Sequence, residues 1–200
     1  MASQKKYVTV SGKALYPYLK TPEVFEGHEI GYTIKVVFGL EDTKKLQKFL
    51  LDELEKAKEL PEFDGKHWSK DPSIGMGETK SGDTFFRFKK ANSFVSKRTG
   101  EKVVTSVPIF DAEGTPLPKN LDVGNGSTVK VAFSLYPFNK TKTVQGLSLR
   151  LEAVQVLDLV APVNSVDASS FGFEKEQGFE VETSSDDESP FNEDDTESDF

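Results

Sequence analysis

Phenylalanines and cations interleave in Phe85-Phe86-Arg87-Phe88-Lys89-Lys90. On a β-strand successive side chains point to opposite faces. Phe86, Phe88 and Lys90 would then share one face, and Phe85, Arg87 and Lys89 the other. A barrel wall turns its apolar face inward, which assigns Phe86 and Phe88 to a core and leaves Phe85, Arg87 and Lys89 outside. A ring beside two cations suits an unpaired polynucleotide strand. Cations follow its phosphates, and rings stack its bases for ~1–3 kcal/mol each, whatever the sequence. An ordinary strand with snorkelling basic side chains fits the same residues.

The pairing recurs in Tyr136-Pro137-Phe138-Asn139-Lys140-Thr141-Lys142, between two strongly alternating segments. That position predicts an exposed hairpin loop, with Tyr136 and Phe138 beside Lys140 and Lys142. The other possibility is that the rings fold back onto the end of the barrel. Lys5 and Lys6 open the chain, and residues 86–162 hold eleven Lys and Arg against six acids. Positive charge therefore gathers on the strand-rich half.

Catalytic chemistry finds little support. There is no Cys, and the two histidines, His28 and His67, lack acidic partners at ligand spacing. Asp111 and Glu113 flank a turn, and Asp64 and Asp71 lie in a long loop, without the spacing of a metal pair. Gly75-Met76-Gly77 lacks the lysine and following helix of a phosphate-cradling loop. The expectation is a protein that is not an enzyme and needs no metal or cofactor. No apolar stretch approaches the ~18 residues of a membrane span, and the N-terminus has no leader pattern. A cytoplasmic protein without disulfides is the simplest reading.

The elements that would position these residues are mostly strands. In Ile30–Phe38, Ile30, Tyr32, Ile34, Val36 and Phe38 share one face; in Ser127–Leu135, Val129, Val131, Phe133 and Leu135 do. In Leu147–Ala153 three leucines and Ala153 oppose Ser148, Arg150 and Glu152. Further strands are expected at Tyr7–Gly12, Thr84–Phe94 and Lys102–Phe110. One helix, capped by Asp42 or Thr43, carries Leu46, Phe49, Leu50, Leu54 and Ala57 at helical spacing and stops at Pro61. Glu62–Asp83 reads as an irregular loop. The pattern predicts an all-β class, best matched by an OB-fold five-stranded Greek-key barrel with one appended helix.

This domain, residues 1–162, carries 24 Lys and Arg against 20 Asp and Glu, a net +4. Residues 163–200 carry thirteen acids and the single Lys175, a net −12, dotted with Phe171, Phe173, Phe179, Phe191 and Phe200. Like-charge blocks of this kind predict a disordered interaction tail. Its carboxylates and rings imitate the phosphates and bases of a single strand.

Taken in order, these motifs resemble the replicative single-stranded DNA-binding proteins of short-tailed lytic bacteriophages (podoviruses). The resemblance rests on Thr84–Phe94, on Val129-Lys130-Val131-Ala132-Phe133-Ser134-Leu135-Tyr136-Pro137-Phe138, on Leu149-Arg150-Leu151-Glu152, and on the acidic end Asp199-Phe200. It implies an OB-fold, sequence-independent binding of single strands, strand annealing and roles in DNA replication, recombination and repair. It also implies a homodimer and a tail that contacts the phage DNA polymerase and primase-helicase. By position the family's basic strand residues fall on Arg87 and Lys89, its N-terminal lysine on Lys5 or Lys6, its loop aromatic on Phe138 and its terminal aromatic on Phe200. Where the family has Lys and Trp after that loop aromatic, this chain has Asn139 and Lys140. The expected DNA-binding set is Lys5, Lys6, Phe85, Arg87, Lys89, Lys90, Tyr136, Phe138, Lys140 and Lys142. The expected partner-binding set is Asp194, Asp195, Glu197, Asp199 and Phe200. A different class, an acidic-tailed interaction module (a DNA-mimic inhibitor or chaperone) that binds no DNA, remains the alternative.

Overall fold

Long alternating segments dominate the sequence, and they become the walls of a barrel. The computed structural model describes residues 5–162; the partner-binding residues expected near the C-terminus, Asp194 to Phe200, lie outside them. The elements are β1 (Lys6–Val8), β2 (Gly12–Phe25), β3 (His28–Val37), α1 (Leu40–Lys58), β4 (Met76–Glu78), β5 (Thr84–Lys90), β6 (Ser93–Val95), β7 (Lys102–Val104), β8 (Ile109–Phe110), β9 (Thr128–Asn139) and β10 (Gln145–Asp158).

Five strands close on themselves. β2 pairs antiparallel with β3, β3 with β5, β9 with β10, and β2 with β9. β5 and β10 run parallel and complete the ring. This is the expected OB-type Greek-key barrel, and closure leaves its wall no free edge. β1 extends the wall along β9, and β4 and β8 pair at the rims of β5 and β10.

The alternation fills the interior. Ile34, Val36, Phe86, Phe88, Val129, Val131, Phe133, Leu147, Leu149 and Leu151 are all buried. Phe88 meets Phe133 edge-on with ring centroids 5.3 Å apart. After Leu151 a bulge shifts the β9–β10 register, so Ala153 leaves the core face on which the leucines place it in sequence, and Val154 and Val156 take over inside.

Helix α1 lies against the barrel through fully buried Leu50 and Leu54, each worth ~1.5–3 kcal/mol of apolar burial. It starts earlier than the Asp42 or Thr43 cap predicts. Gly39 is the N-cap, without a side-chain cap bond, and buried Thr43 donates its hydroxyl to the Phe38 carbonyl at 3.3 Å. Glu41 and Asp42 in the first turn, and Lys56 and Lys58 in the last, oppose the helix dipole with suitable charge. Pro61 opens a short 3-10 turn, Pro61–Phe63, beyond the helix end, as its missing N–H favours.

Four other expectations differ from the structure. The Lys102–Phe110 strand is two, β7 paired with β6 and β8 paired with β10, with residues 105–108 in neither. The Tyr7–Gly12 strand is two elements, and the long β2 that follows had no counterpart in the sequence reading. The Thr84–Phe94 strand ends at Lys90, and Ser93–Val95 pairs instead with Lys102–Val104 in a separate two-stranded hairpin. The Glu62–Asp83 loop contains β4. Gly31 explains the departure of that hairpin. It has φ 104°, and a Cβ there would stand 2.4 Å from the Lys90 carbonyl oxygen, so only glycine lets β3 run this close as β5 turns away.

Candidate nucleic-acid interface

The parallel pairing of β5 with β10 sets Lys89 directly beside Arg150. Antiparallel pairing then sets Arg150 beside Ser134 of β9, and Ser134 beside Lys6 of β1. Directly paired residues share a face of the sheet. One row on the outer wall therefore reads Lys89, Arg150, Ser134, Lys6. These residues are far apart in the chain and become neighbours only through register.

Above this row lies an open groove of about 730 Å3, lined among others by Lys89, Lys90, Phe94, Tyr136, Phe138, Lys140, Arg150 and Glu152. Five of the expected site residues meet here: Lys89, Lys90, Tyr136, Phe138 and Lys140. Their setting differs from the expected loop, because Tyr136 and Phe138 belong to strand β9 itself, and the hairpin loop spans only residues 140–144. Strand geometry, not loop chance, turns both rings outward. Tyr136 is exposed and lies under the Arg150 guanidinium, which sits 3.7 Å from the ring centroid.

Among the described residues, Lys89, Lys90, Lys140 and Arg150 form no ion pair. Crowding shows in Lys89, whose pKa lies below the ordinary lysine value. The groove walls desolvate its ammonium, and Arg87 and Lys140 add like-charge repulsion. An anion entering the groove would relieve that repulsion. The one acid on the lining, Glu152, accepts a hydrogen bond from the Ser134 hydroxyl at 2.7 Å. Two smaller hollows, of about 370 and 280 Å3, hold cations that are already neutralised: Lys20 by Asp122 at 3.4 Å and Lys45 by Asp42 at 3.8 Å.

The remaining expected residues lie elsewhere. Phe85 and Arg87 face outward from β5 as predicted, but onto the neighbouring patch. The Arg87 Nη2 donates to Glu23 Oε2 at 2.6 Å, and the same oxygen accepts from the Thr33 hydroxyl at 2.7 Å. Phe85 packs its ring against Gly77 and carries the Lys35 ammonium 4.8 Å from its centroid. Lys6 ends the cross-strand row, Lys5 sits 5.1 Å from the Tyr7 ring centroid, and Lys142 is exposed in the hairpin loop. The sequence reading missed Arg150 and Phe94. Arg150 was visible as an outward residue of its strand, but its position beside Lys89 depends on a parallel pairing that no local pattern encodes.

Among the described residues no His, Cys, Asp and Glu cluster could hold a metal ion, and no helix is long and apolar enough to cross a membrane.

The sequence model of the family described as "Single-stranded DNA-binding protein, Bacteriophage T7" matches residues 64–159, which include β5, β9, β10 and every groove cation named above. Over that segment the chain is similar to these phage proteins. The single-stranded DNA-binding protein of Enterobacteria phage T3 is 28% identical over 189 residues, covering 80% of this chain and 79% of that one. That of Escherichia phage T7 is 36% identical over 80 residues, covering 39% and 34%. Each is named for binding, none for a reaction. Among solved structures, the T7-encoded single-stranded DNA-binding protein superposes with a TM-score of 0.67 at 22% identity, covering 90% of this chain and all of that one. The single-stranded DNA-binding protein of bacteriophage Enc34, in complex with single-stranded DNA, gives 0.55 at 13% identity, covering 80% and 89%. These two likenesses speak for the shared barrel.

Proposed function

We propose that the chain binds single-stranded DNA without sequence preference, as a replication protein of a phage acting in the host cytoplasm. The observation that carries the reading is one groove holding Lys89, Lys90, Lys140 and Arg150, unpaired among the described residues, beside outward Tyr136 and Phe138, within the segment that matches the phage family. The cations neutralise successive phosphates and the rings stack unpaired bases. Lys6 continues the track across β9, and Lys142 meets the strand at the hairpin loop. Because phosphate contacts release condensed counterions, affinity depends on salt and little on sequence.

The proposal extends to the acidic segment, residues 163–200. Its net −12 competes with DNA for the body's cations, and its end, Asp194 to Phe200, docks on the polymerase and primase-helicase. Protection and annealing of single strands and a homodimeric assembly complete the reading.

Fluorescence anisotropy of a labelled oligo-dT tests both halves, with residues 1–200 and 1–162 compared across a salt series. The expected result is binding that falls with a log–log slope of about −0.7 per phosphate neutralised, and that tightens when residues 163–200 are removed. Absence of binding by either form at low salt would overturn the proposal and leave the acidic segment as the functional element.

A further inference from the structure

We propose that Phe94, on the β6–β7 hairpin, is a base-stacking residue that forms the groove wall opposite Tyr136 and Phe138; the inference rests on the single-strand-binding reading of the same groove. The hairpin is a short arm outside the barrel, with Phe94 paired to Val103, Ser93 to Val104 and Val95 to Lys102. Paired residues share a face, so Phe94 and Val103 point one way and Val95 and Val104 the other. The Phe94 side lines the groove together with Lys89, Lys90 and Arg150.

Among the described residues, the hydrogen bonds that tie the arm to the barrel lie at its base. The core residue Tyr32 sends its hydroxyl to the Thr105 carbonyl at 2.9 Å, and the Thr105 N–H donates to the Asn92 carbonyl at 2.8 Å. Asn92 in turn donates its side-chain amide to Glu29 Oε2. Beyond that base the strands hold only each other and a turn closed by Ser96 N–H to the Glu101 carbonyl at 2.9 Å. The hairpin is too short to bury its own apolar residues. Phe94 is 55% exposed, although it stands at the edge of a groove containing four cations that are unpaired among the described residues.

An exposed ring makes no use of its stacking face, and the chemistry around this one selects the occupant. Cations on the floor attract a polyanion, and Tyr136 and Phe138 line the β9 side. A polymer that is anionic along its backbone and flat and apolar at intervals satisfies both walls at once. A stretch of single-stranded DNA has that character: phosphates along Lys89, Arg150 and Lys140, and an unpaired base against Phe94. Duplex DNA does not, because its bases already stack on each other.

The test uses the full chain and oligo-dT. Phe94→Ala is expected to weaken binding by about tenfold, within the range that loss of one stacked base gives, with the salt slope unchanged because no phosphate contact is removed. Phe94→Trp is expected to bind as wild type and to gain a fluorescence signal quenched by oligo-dT beyond any change at native Trp68. Val104→Ser, on the far face of the same hairpin, is expected to leave affinity unchanged. The inference is overturned if wild type binds while Phe94→Ala binds equally well and the new tryptophan is not quenched. It is also overturned if Val104→Ser loses as much as Phe94→Ala, since hairpin integrity rather than stacking would then be at stake. A wild-type chain that fails to bind oligo-dT takes down the parent proposal and this one together.

Discussion

Two adjoining patches of the outer wall carry the same residue types and arrive at opposite states. On β10 and β9, Arg150 lies 3.7 Å from the Tyr136 centroid, beside Lys89, and neither has an acid partner among the described residues. One step along β5, Arg87 is bound to Glu23 at 2.6 Å, and Lys35 rests between the Tyr16 and Phe85 rings at 5.2 and 4.8 Å. Both patches look alike as text, aromatic beside cation. Only the first holds charge in reserve for an incoming anion. The second has already been neutralised by the fold, through a glutamate 64 residues away.

The largest effect should come from Arg150. On the proposed reading Arg150→Ala removes a phosphate contact, and it leaves Tyr136 without the cation that lies against its ring. A charge-assisted hydrogen bond contributes about 1.5–3 kcal/mol, so oligo-dT affinity should fall by about 10- to 150-fold. The salt slope should drop in magnitude by about 0.7, the share of one phosphate. Arg150 is exposed, so thermal unfolding should change little. A normal salt slope in this variant would mean that Arg150 braces Tyr136 and touches no phosphate.

A smaller effect of opposite sign is expected from Glu23→Gln. Removing the carboxylate charge frees Arg87 at the margin of the track, and affinity should rise by a few fold with a salt slope steeper by up to about 0.7. Arg87→Ala should instead leave DNA affinity within about twofold and lower stability. It strips half-buried Glu23 of its guanidinium, a loss of about 1–2 kcal/mol once partial solvent screening is allowed for. Anisotropy and thermal melts on the same two variants separate these effects. If Arg87→Ala weakened DNA binding as severely as Arg150→Ala, the two patches would be one continuous site and the contrast between them would collapse.

Much of the barrel was legible because alternation is a local property. Ile34, Val36, Val129, Val131, Phe133 and the three leucines of β10 lie inside as their spacing requires. The long β2 was hidden by its own sequence. Pro17 and Pro22 argue against a strand, and Tyr16 has a positive φ of 48° where the strand bends. The bulge after Leu151 was hidden as well, because an extra residue in one strand leaves no mark until its partner is known. For the site, composition named five of the residues that line the groove. It could not tell free Lys89 from engaged Arg87, two residues apart on one face, because the difference is made by Glu23 on another strand. Nor could it find Phe94, whose role depends on the chain leaving the barrel at Ala91-Asn92.

The finest probe of the contrast is pH, acting through Lys89. Its pKa is lowered by desolvation and then by Arg87 and Lys140, so it sheds its proton before an ordinary lysine at about 10.4 would. Bound phosphate favours the ammonium, and binding in that interval must therefore be coupled to proton uptake. Affinity for oligo-dT should then decline by a few fold as pH rises through the lowered pKa of Lys89. The folding contribution has the opposite sign. A lysine whose folded pKa is depressed penalises the native state at lower pH, and the penalty lifts as pH climbs from the folded pKa toward the unfolded one. DNA affinity and intrinsic stability should thus diverge over the same interval, which a general alkaline loosening of the fold would not produce. Lys89→Arg holds its charge throughout, and should flatten the affinity profile while leaving Arg87 and Glu23 as they are. If the profile of Lys89→Arg keeps the wild-type decline, the groove's pH response does not come from Lys89, and Lys89 is not where the phosphate sits.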